Sequence, residues 1–97
     1  MAKFNIGYIY IIVNKAWTEW CKVGRTTTEI TKRMTAYQTC SPFRDYECVF
    51  SIKSTTLSED EAKIYEKLKE LEVECRHEWY KKDVGTLERV ISDIVIK

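Results

Sequence analysis

A pair of tyrosines, a lysine, an arginine and one carboxylate stand at spacings that could bring them together. In residues 8–13 (YIYIIV) the two-residue period of a strand sets Tyr8, Tyr10 and Ile12 on one face and Ile9, Ile11 and Val13 on the other. Across the next segment Lys22 shares a face with Trp20 and Gly24, so two phenols and an ammonium can sit over one sheet face. Farther on, Ile30, Arg33, Met34 and Tyr37 keep the i, i+3, i+4, i+7 spacing of one helix face, with Arg33 one turn from Tyr37. Glu61 precedes Tyr65 and Leu68 by four and seven residues, which puts a carboxylate on an otherwise apolar stripe. These are parts for phosphodiester hydrolysis: a phenol to take a proton from water, cations for the charge at phosphorus, and a metal at the leaving oxygen.

Each residue also has a plainer reading. Tyrosines are good strand formers whose hydroxyls can simply be solvated. Arginine can lay its stem along a core and keep its head in water. Glu61 is also the third helical residue after Ser58, where a capping box requires a glutamate. A lone carboxylate suits Mg²⁺ only in a sparse, largely hydrated site that substrate phosphate completes.

The elements that must hold these residues can be read in outline. Residues 8–13 are β-branched or aromatic throughout and residues 20–25 (WCKVGR) follow a short polar connection, which predicts an antiparallel hairpin. Thr26, with Glu29 three residues on, forms a capping box for a helix that runs to about Thr39 and ends before Ser41-Pro42. Residues 46–52 (YECVFSI) alternate as a third strand. Ser58 and Glu61 open a second helix with the stripe Leu57, Ile64, Tyr65, Leu68 and Leu71. Glu78-Trp79-Tyr80 is a short extended piece, and Asp83 caps a last helix bearing Leu87, Val90, Ile91, Ile94 and Val95. The order β-β-α-β-α-α, without repeat or linker, predicts one α+β domain over residues 1–97: a small three-stranded antiparallel sheet flanked by helices.

Bulk properties narrow the classes. The 97 residues are 44% hydrophobic and 32% charged, ordinary for a soluble globular protein. The apolar runs are too short for a membrane span and the N-terminal residues lack a signal peptide's apolar stretch, so a cytoplasmic location is expected. A net charge of +1 argues against nucleic-acid binding mainly by counterion release. The charge is uneven, however: Lys15, Lys22, Arg25, Lys32, Arg33 and Arg44 make residues 15–44 basic, and seven carboxylates between Glu59 and Glu74 make the next helix acidic. Cys21, Cys40, Cys48 and Cys75 lack metal-ligand spacing, and His77 does not complete a zinc site with them. They read as reduced, mostly buried small hydrophobes.

Gly7-Tyr8-Ile9-Tyr10, then Lys22-Val23-Gly24-Arg25-Thr26, with Lys32-Arg33 on the next helix, resembles the GIY-YIG nuclease superfamily. It is more closely similar to the phage and bacterial branch called T5orf172 or MUG113. Glu61-Ala62-Lys63-Ile64-Tyr65 and Glu78-Trp79-Tyr80 resemble that branch's helical glutamate and its later Glu-Trp-aromatic segment. The resemblance covers residue 7 to about residue 83. It implies a DNA endonuclease, the catalytic domain of a phage homing or restriction-type enzyme, that uses Mg²⁺ or Mn²⁺ and no organic cofactor and works in the cytoplasm, the host's if phage-encoded. Tyr10 would match the tyrosine of the first motif, Arg33 the helical arginine, Glu61 the metal-binding glutamate, and Tyr37 a proton-transfer residue. Gly24 and Arg25 would let a phosphate approach. Lys22 replaces the superfamily's second tyrosine, which leaves Tyr8, Tyr10 and Lys22 all open as handlers of the water proton. The late asparagine of many members has no counterpart here; Glu78 or Trp79 occupies its region. A non-cutting nucleic-acid or protein-interaction module of the same fold is the rival expectation.

Overall fold

Alternating and β-branched residues form the expected hairpin. In the computed structural model, which describes residues 6–39 and 45–96, β1 (Gly7–Asn14) pairs antiparallel with β2 (Cys21–Thr26), with Tyr10 opposite Gly24 and Ile12 opposite Lys22. β3 (Tyr46–Ser54) pairs with the other side of β1, and its register slips between Ile11 and Ile12. Phe50 lies opposite Ile11 but Cys48 opposite Ile12, so Val49 is the extra residue of a bulge. That one residue turns Phe50 and Ile52 toward the Ile9 and Ile11 face while Tyr46 joins the face of Tyr10.

Three helices complete the unit: α1 (Ile30–Thr39), α2 (Leu57–Glu70) and α3 (Val84–Val95). The core lies between the Ile9, Ile11 and Val23 face of the sheet and α2 and α3. It gathers Leu57, Ile64 and Leu68 from α2 and Leu87 and Ile91 from α3, all essentially inaccessible to water. α1 covers the opposite face without burying any residue completely; Ile30, Met34 and Tyr37 are half-buried there. Gln38 exchanges two hydrogen bonds with the backbone of Tyr46, donating to its carbonyl at 2.6 Å and accepting from its N–H at 3.2 Å. This ties α1 to the edge strand β3.

Four expectations need correction. The sheet has five strands, not three: β4 (Cys75–Arg76) and β5 (Trp79–Tyr80) form a hairpin that adds to β2, giving the order β3-β1-β2-β5-β4. Two-residue strands are too short to show alternation, and their turn uses His77 (φ 51°) and Glu78 (φ 75°) instead of the glycine or asparagine that signals a left-handed pair. Neither N-terminal capping box forms. Thr26 ends β2, and its hydroxyl accepts the Thr28 N–H at 3.1 Å, so α1 starts at Ile30 with the Glu29 carbonyl taking the first N–H groups. α2 starts earlier than a Ser58 cap allows, at Leu57, and Ser58 instead accepts a bond from Arg25. Leu71 is exposed beyond the end of α2, and Cys75 is exposed while Cys21 is buried. Asp83 does cap α3, accepting the Thr86 N–H at 2.9 Å. Cys40, Ser41, Pro42 and Arg44 lie outside the described residues.

Candidate functional site

The site forms where the sheet loses a strand. β5 pairs only with Cys21 and Lys22, so the second half of β2 runs on past it, and there a cavity of about 270 Å³ opens. Tyr10, Gly24, Arg25, Arg33, Glu61, Tyr65 and Glu78 line it, and they come from β1, β2, α1, α2 and the β4–β5 turn. Gly24 makes this possible. A Cβ there would lie 2.6 Å from the Tyr10 hydroxyl oxygen and 2.7 Å from the ring, so the phenol lies directly across the glycine. The close approach expected of this glycine is thus that of the Tyr10 ring.

Tyr10 is 1% exposed, yet its hydroxyl has two polar neighbours. Arg33 Nε donates to it at 3.1 Å, and the Tyr37 hydroxyl lies 3.2 Å away. Burial pushes its pKa up to about 12; the bond with Tyr37 adds to the rise and Arg33 opposes it. The same bond with Tyr10 raises the Arg33 pKa, so the guanidinium stays charged. Arg33 also lies over the Tyr37 ring, 5.5 Å from its centroid.

Glu61 is held from two sides and does not cap its helix. Arg25 Nε lies 3.2 Å from Oε1, and the Tyr65 hydroxyl donates to Oε2 at 3.0 Å. Burial, then the charge of Glu61, raises the Tyr65 pKa, so this phenol remains a donor. Arg25 also donates to Ser58 Oγ at 2.9 Å. The start of α2 is anchored by Asp60, which is 1% exposed and accepts from Ser54 Oγ at 2.7 Å and Thr56 Oγ1 at 3.0 Å. That anchor fixes the neighbouring Glu61 at the cavity wall.

Lys22 is not where a lowered Tyr10 pKa would need it. Its ammonium pairs with Glu78 Oε1 at 2.9 Å and lies 5.9 Å from the Tyr37 ring centroid. Tyr8 stands farther along β1, opposite Thr26, and is not among the lining residues. The structure therefore brings Tyr10, Arg33, Tyr37, Gly24, Arg25 and Glu61 together, places Lys22 at the rim, and leaves Tyr8 out. Two contributors escaped the sequence reading. Tyr65 as the partner of Glu61 was findable from its i+4 spacing; Glu78 as the partner of Lys22 depended on a hairpin the sequence does not announce.

A second cavity of about 400 Å³ adjoins the first, lined by Arg25, Thr26, Thr27, Thr28, Arg33, Leu57 and Ser58. Both arginines serve both cavities; in the first they face Glu61 and Glu78, whereas the second has no carboxylate among its described lining residues and is cationic and hydroxyl-lined, as a phosphate requires. Among the described residues no cluster of three His, Cys, Asp or Glu forms a ready-made metal cage. Glu61 still fits a divalent ion of the hydrated kind: each carboxylate oxygen has more than one acceptor position and accepts a single described bond.

The family model for the T5orf172 domain matches residues 7–95. No curated protein and no solved structure matches the chain.

Proposed function

The chain belongs to the T5orf172 domain family, which is associated with nuclease-type domains, and from that premise we propose a divalent-metal-dependent DNA endonuclease domain of the GIY-YIG kind. The observation that supports this reading best is the meeting of Tyr10, Arg33 and Glu61 at one small cavity beside Gly24. Tyr10 is nearly inaccessible to water, so its hydroxyl is costly to keep there without a partner, and its charged partner is the Arg33 guanidinium, with Glu61 on the wall of the same cavity.

Arg33 and Arg25 would bind the scissile phosphate and its neighbour along the two joined cavities. Tyr10 would take the proton of the attacking water through its phenolate, a form present at only about one part in 10⁵ at pH 7 for a pKa near 12. Arg33, 3.1 Å from that oxygen, is the group that favours the phenolate. Tyr37 would exchange the proton with solvent from the half-buried side. Glu61 would hold Mg²⁺ or Mn²⁺, which when bound supplies charge stabilisation at the leaving oxygen.

One observation favours the rival, a module that holds nucleic acid without cutting it: Arg25 already neutralises Glu61. The pair is a weak obstacle, because Arg25 is 44% exposed and such pairs are worth only about 0–1 kcal/mol. Incubation of the pure chain with supercoiled plasmid decides. Nicked or linear product with Mg²⁺ or Mn²⁺, absent with EDTA and absent from Glu61→Ala, is the expected result. Binding without metal-dependent product means the rival is right.

A further inference from the structure

The chain has three tryptophans, and none is in the core. All three, Trp17, Trp20 and Trp79, line one half-open cleft of about 460 Å³ between the β1–β2 connection and the β4–β5 hairpin. Trp17 is 42% exposed, an unusual position for the largest apolar side chain in a domain short of core. Asn14 fixes it there: its Oδ1 accepts the Ala16 N–H at 2.8 Å, its carbonyl accepts the Trp17 N–H at 3.2 Å, and its amide is tied to Asp45. Trp17 and Trp79 meet edge-to-face, with centroids 5.9 Å apart and planes at 89°, so the two rings do not stack on one another and the exposed surface of Trp17 is open to a flat partner. Arg76 lies over the Trp20 ring at 6.0 Å; its Nε is 3.6 Å from Glu74 Oε2, a solvent-exposed pair of the weak kind that a phosphate can replace, and among the described residues no carboxylate lines the cleft itself.

This cleft is linked to the candidate site through packed side chains and a shared turn. Ring contacts run from Trp79 to Tyr46 at 6.5 Å, to Tyr37 at 5.7 Å and to Tyr10 at 6.4 Å. The strained turn joins them as well: of its two left-handed residues, His77 lines the cleft and Glu78 lines the site. Left-handed non-glycine residues are costly and persist where the surroundings demand them.

We infer that the tryptophan cleft is a stacking site for an unpaired nucleobase, so that the preferred substrate is a strand with a single-stranded or extruded base near the bond to be cut. The inference rests on reading the Tyr10 site as a nucleic-acid site. An exposed indole with a guanidinium beside it is a usual platform for a base, tolerant of its identity, whereas on the proposed reading the joined cavities on the other side of Tyr10 would take phosphates. Among the lining groups the cation suits the backbone that follows such a base.

The test uses the full chain in EDTA, so that it is independent of cleavage. Because every tryptophan lies in the cleft, intrinsic fluorescence reports its occupancy directly. A short oligothymidylate should quench it, and an abasic strand of equal length should quench weakly and bind about tenfold or more worse, the loss expected for one stacked base. Trp17→Ala should lower affinity for the oligothymidylate by about tenfold, with Trp17→Phe close to the parent. Neither should change the slope of affinity against salt, which counts phosphate contacts. Equal binding and quenching by the abasic strand overturns the inference, as does an oligothymidylate that binds without quenching. Self-association that quenches tryptophan and disappears in Trp17→Ala overturns it in favour of a protein interface. Failure of plasmid cleavage with the quenching pattern intact sinks only the nuclease reading; cleavage without that pattern sinks only the base site.

Discussion

The sheet is covered differently on its two faces. Between one face and the helices α2 and α3 lie Ile9, Ile11, Val23, Ile64, Leu68, Leu87 and Ile91, all aliphatic, with Cys21 and Tyr80 bringing a thiol and a hydroxyl to the margin of the same cluster. Under and beside α1 lie Tyr10, Tyr37, Tyr46, Trp79 and Lys22, each an apolar body with a polar tip. The first face is closed and gains stability from area removed from water. The second is partly open, and its polar tips meet one another and the cavity. Glu61 links the two: it belongs to the helix that covers the first face, but it reaches the cavity where β2 runs past β5. Stability and proposed chemistry are thus carried by different residues of the same strands, one residue apart.

The largest expected effect is at that link. Glu61→Ala should reduce metal-dependent plasmid nicking to background while thermal unfolding stays close to the parent's, because the α2 start is held by Asp60, Ser54 and Thr56 and not by Glu61. Parental cleavage by this variant would show that the carboxylate only orders Arg25 and Tyr65. On the closed face the effect is reversed in kind. Leu68→Ala, at a position 1% exposed, should cost about 2–5 kcal/mol in urea unfolding and affect cleavage only through the folded fraction. A loss below about 1 kcal/mol, well short of a buried leucine's usual cost, would mean that stability is not concentrated on the closed face.

Arg33→Ala comes next. Removing a cation aimed at transition-state charge should slow single-turnover cleavage about a hundredfold, with a much smaller loss of DNA affinity. Equal losses in both would make Arg33 a phosphate contact only.

The closed face was legible in the sequence because period and burial coincide there: Leu57, Ile64 and Leu68, or Leu87 and Ile91, follow helical spacing, and the carboxylate buried on the same α2 stripe, Asp60, is satisfied by Ser54 and Thr56. Periodicity put Arg33 and Tyr37 on one helix face and Tyr10 on one strand face, but the meeting of these residues with Glu61, which belongs to the helix on the other side of the sheet, was implied by the family resemblance and not by spacing. What failed was local and depended on tertiary partners. Thr26 and Ser58 have the right neighbours for capping boxes, but the Thr26 hydroxyl turns to Thr28 and Ser58 meets Arg25. The β4–β5 hairpin hides in two-residue strands around a His-Glu turn, and with it the partner of Lys22. The Val49 bulge, which brings Tyr46 onto the aromatic face, has no signature in a strand that otherwise alternates.

Protonation separates two uses of Tyr10. A raised pKa makes the phenolate scarcer at every pH below about 12. If Tyr10 is the base, single-turnover rates should climb nearly tenfold per pH unit from neutrality with no plateau in the accessible range; a flat profile means the neutral phenol only orients a reacting group by donating a hydrogen bond. The fold carries the same sign. Tyr10, Tyr65 and Tyr80 all ionise less readily when folded than the ordinary phenol near pH 10, so their contribution to stability is complete below pH 10 and declines as pH rises through and beyond about 12. Denaturant midpoints should hold from about pH 7 to 9 and fall above about 10.

The smallest effect is expected at Lys22, where the sequence pointed to a large one. Opposite charge across the hairpin would favour a phenolate, and Lys22 is the cation the hairpin places nearest in sequence. Its cross-strand partner is Ile12, however, and its ammonium is occupied by Glu78 at 2.9 Å while Arg33 holds the Tyr10 oxygen. Lys22→Met should therefore leave the pH dependence of cleavage where it is and cost about 0–1 kcal/mol, since Glu78 is 56% exposed and can be hydrated once unpaired. The Arg33→Lys variant supplies the contrast. It keeps the charge but has no Nε–H in a fixed fork, so it should lower the rate and move the alkaline rise to higher pH. A shift of the profile in Lys22→Met, with none in Arg33→Lys, would reassign the electrostatic role to the hairpin lysine and place the working phenol nearer to it than the present contacts do.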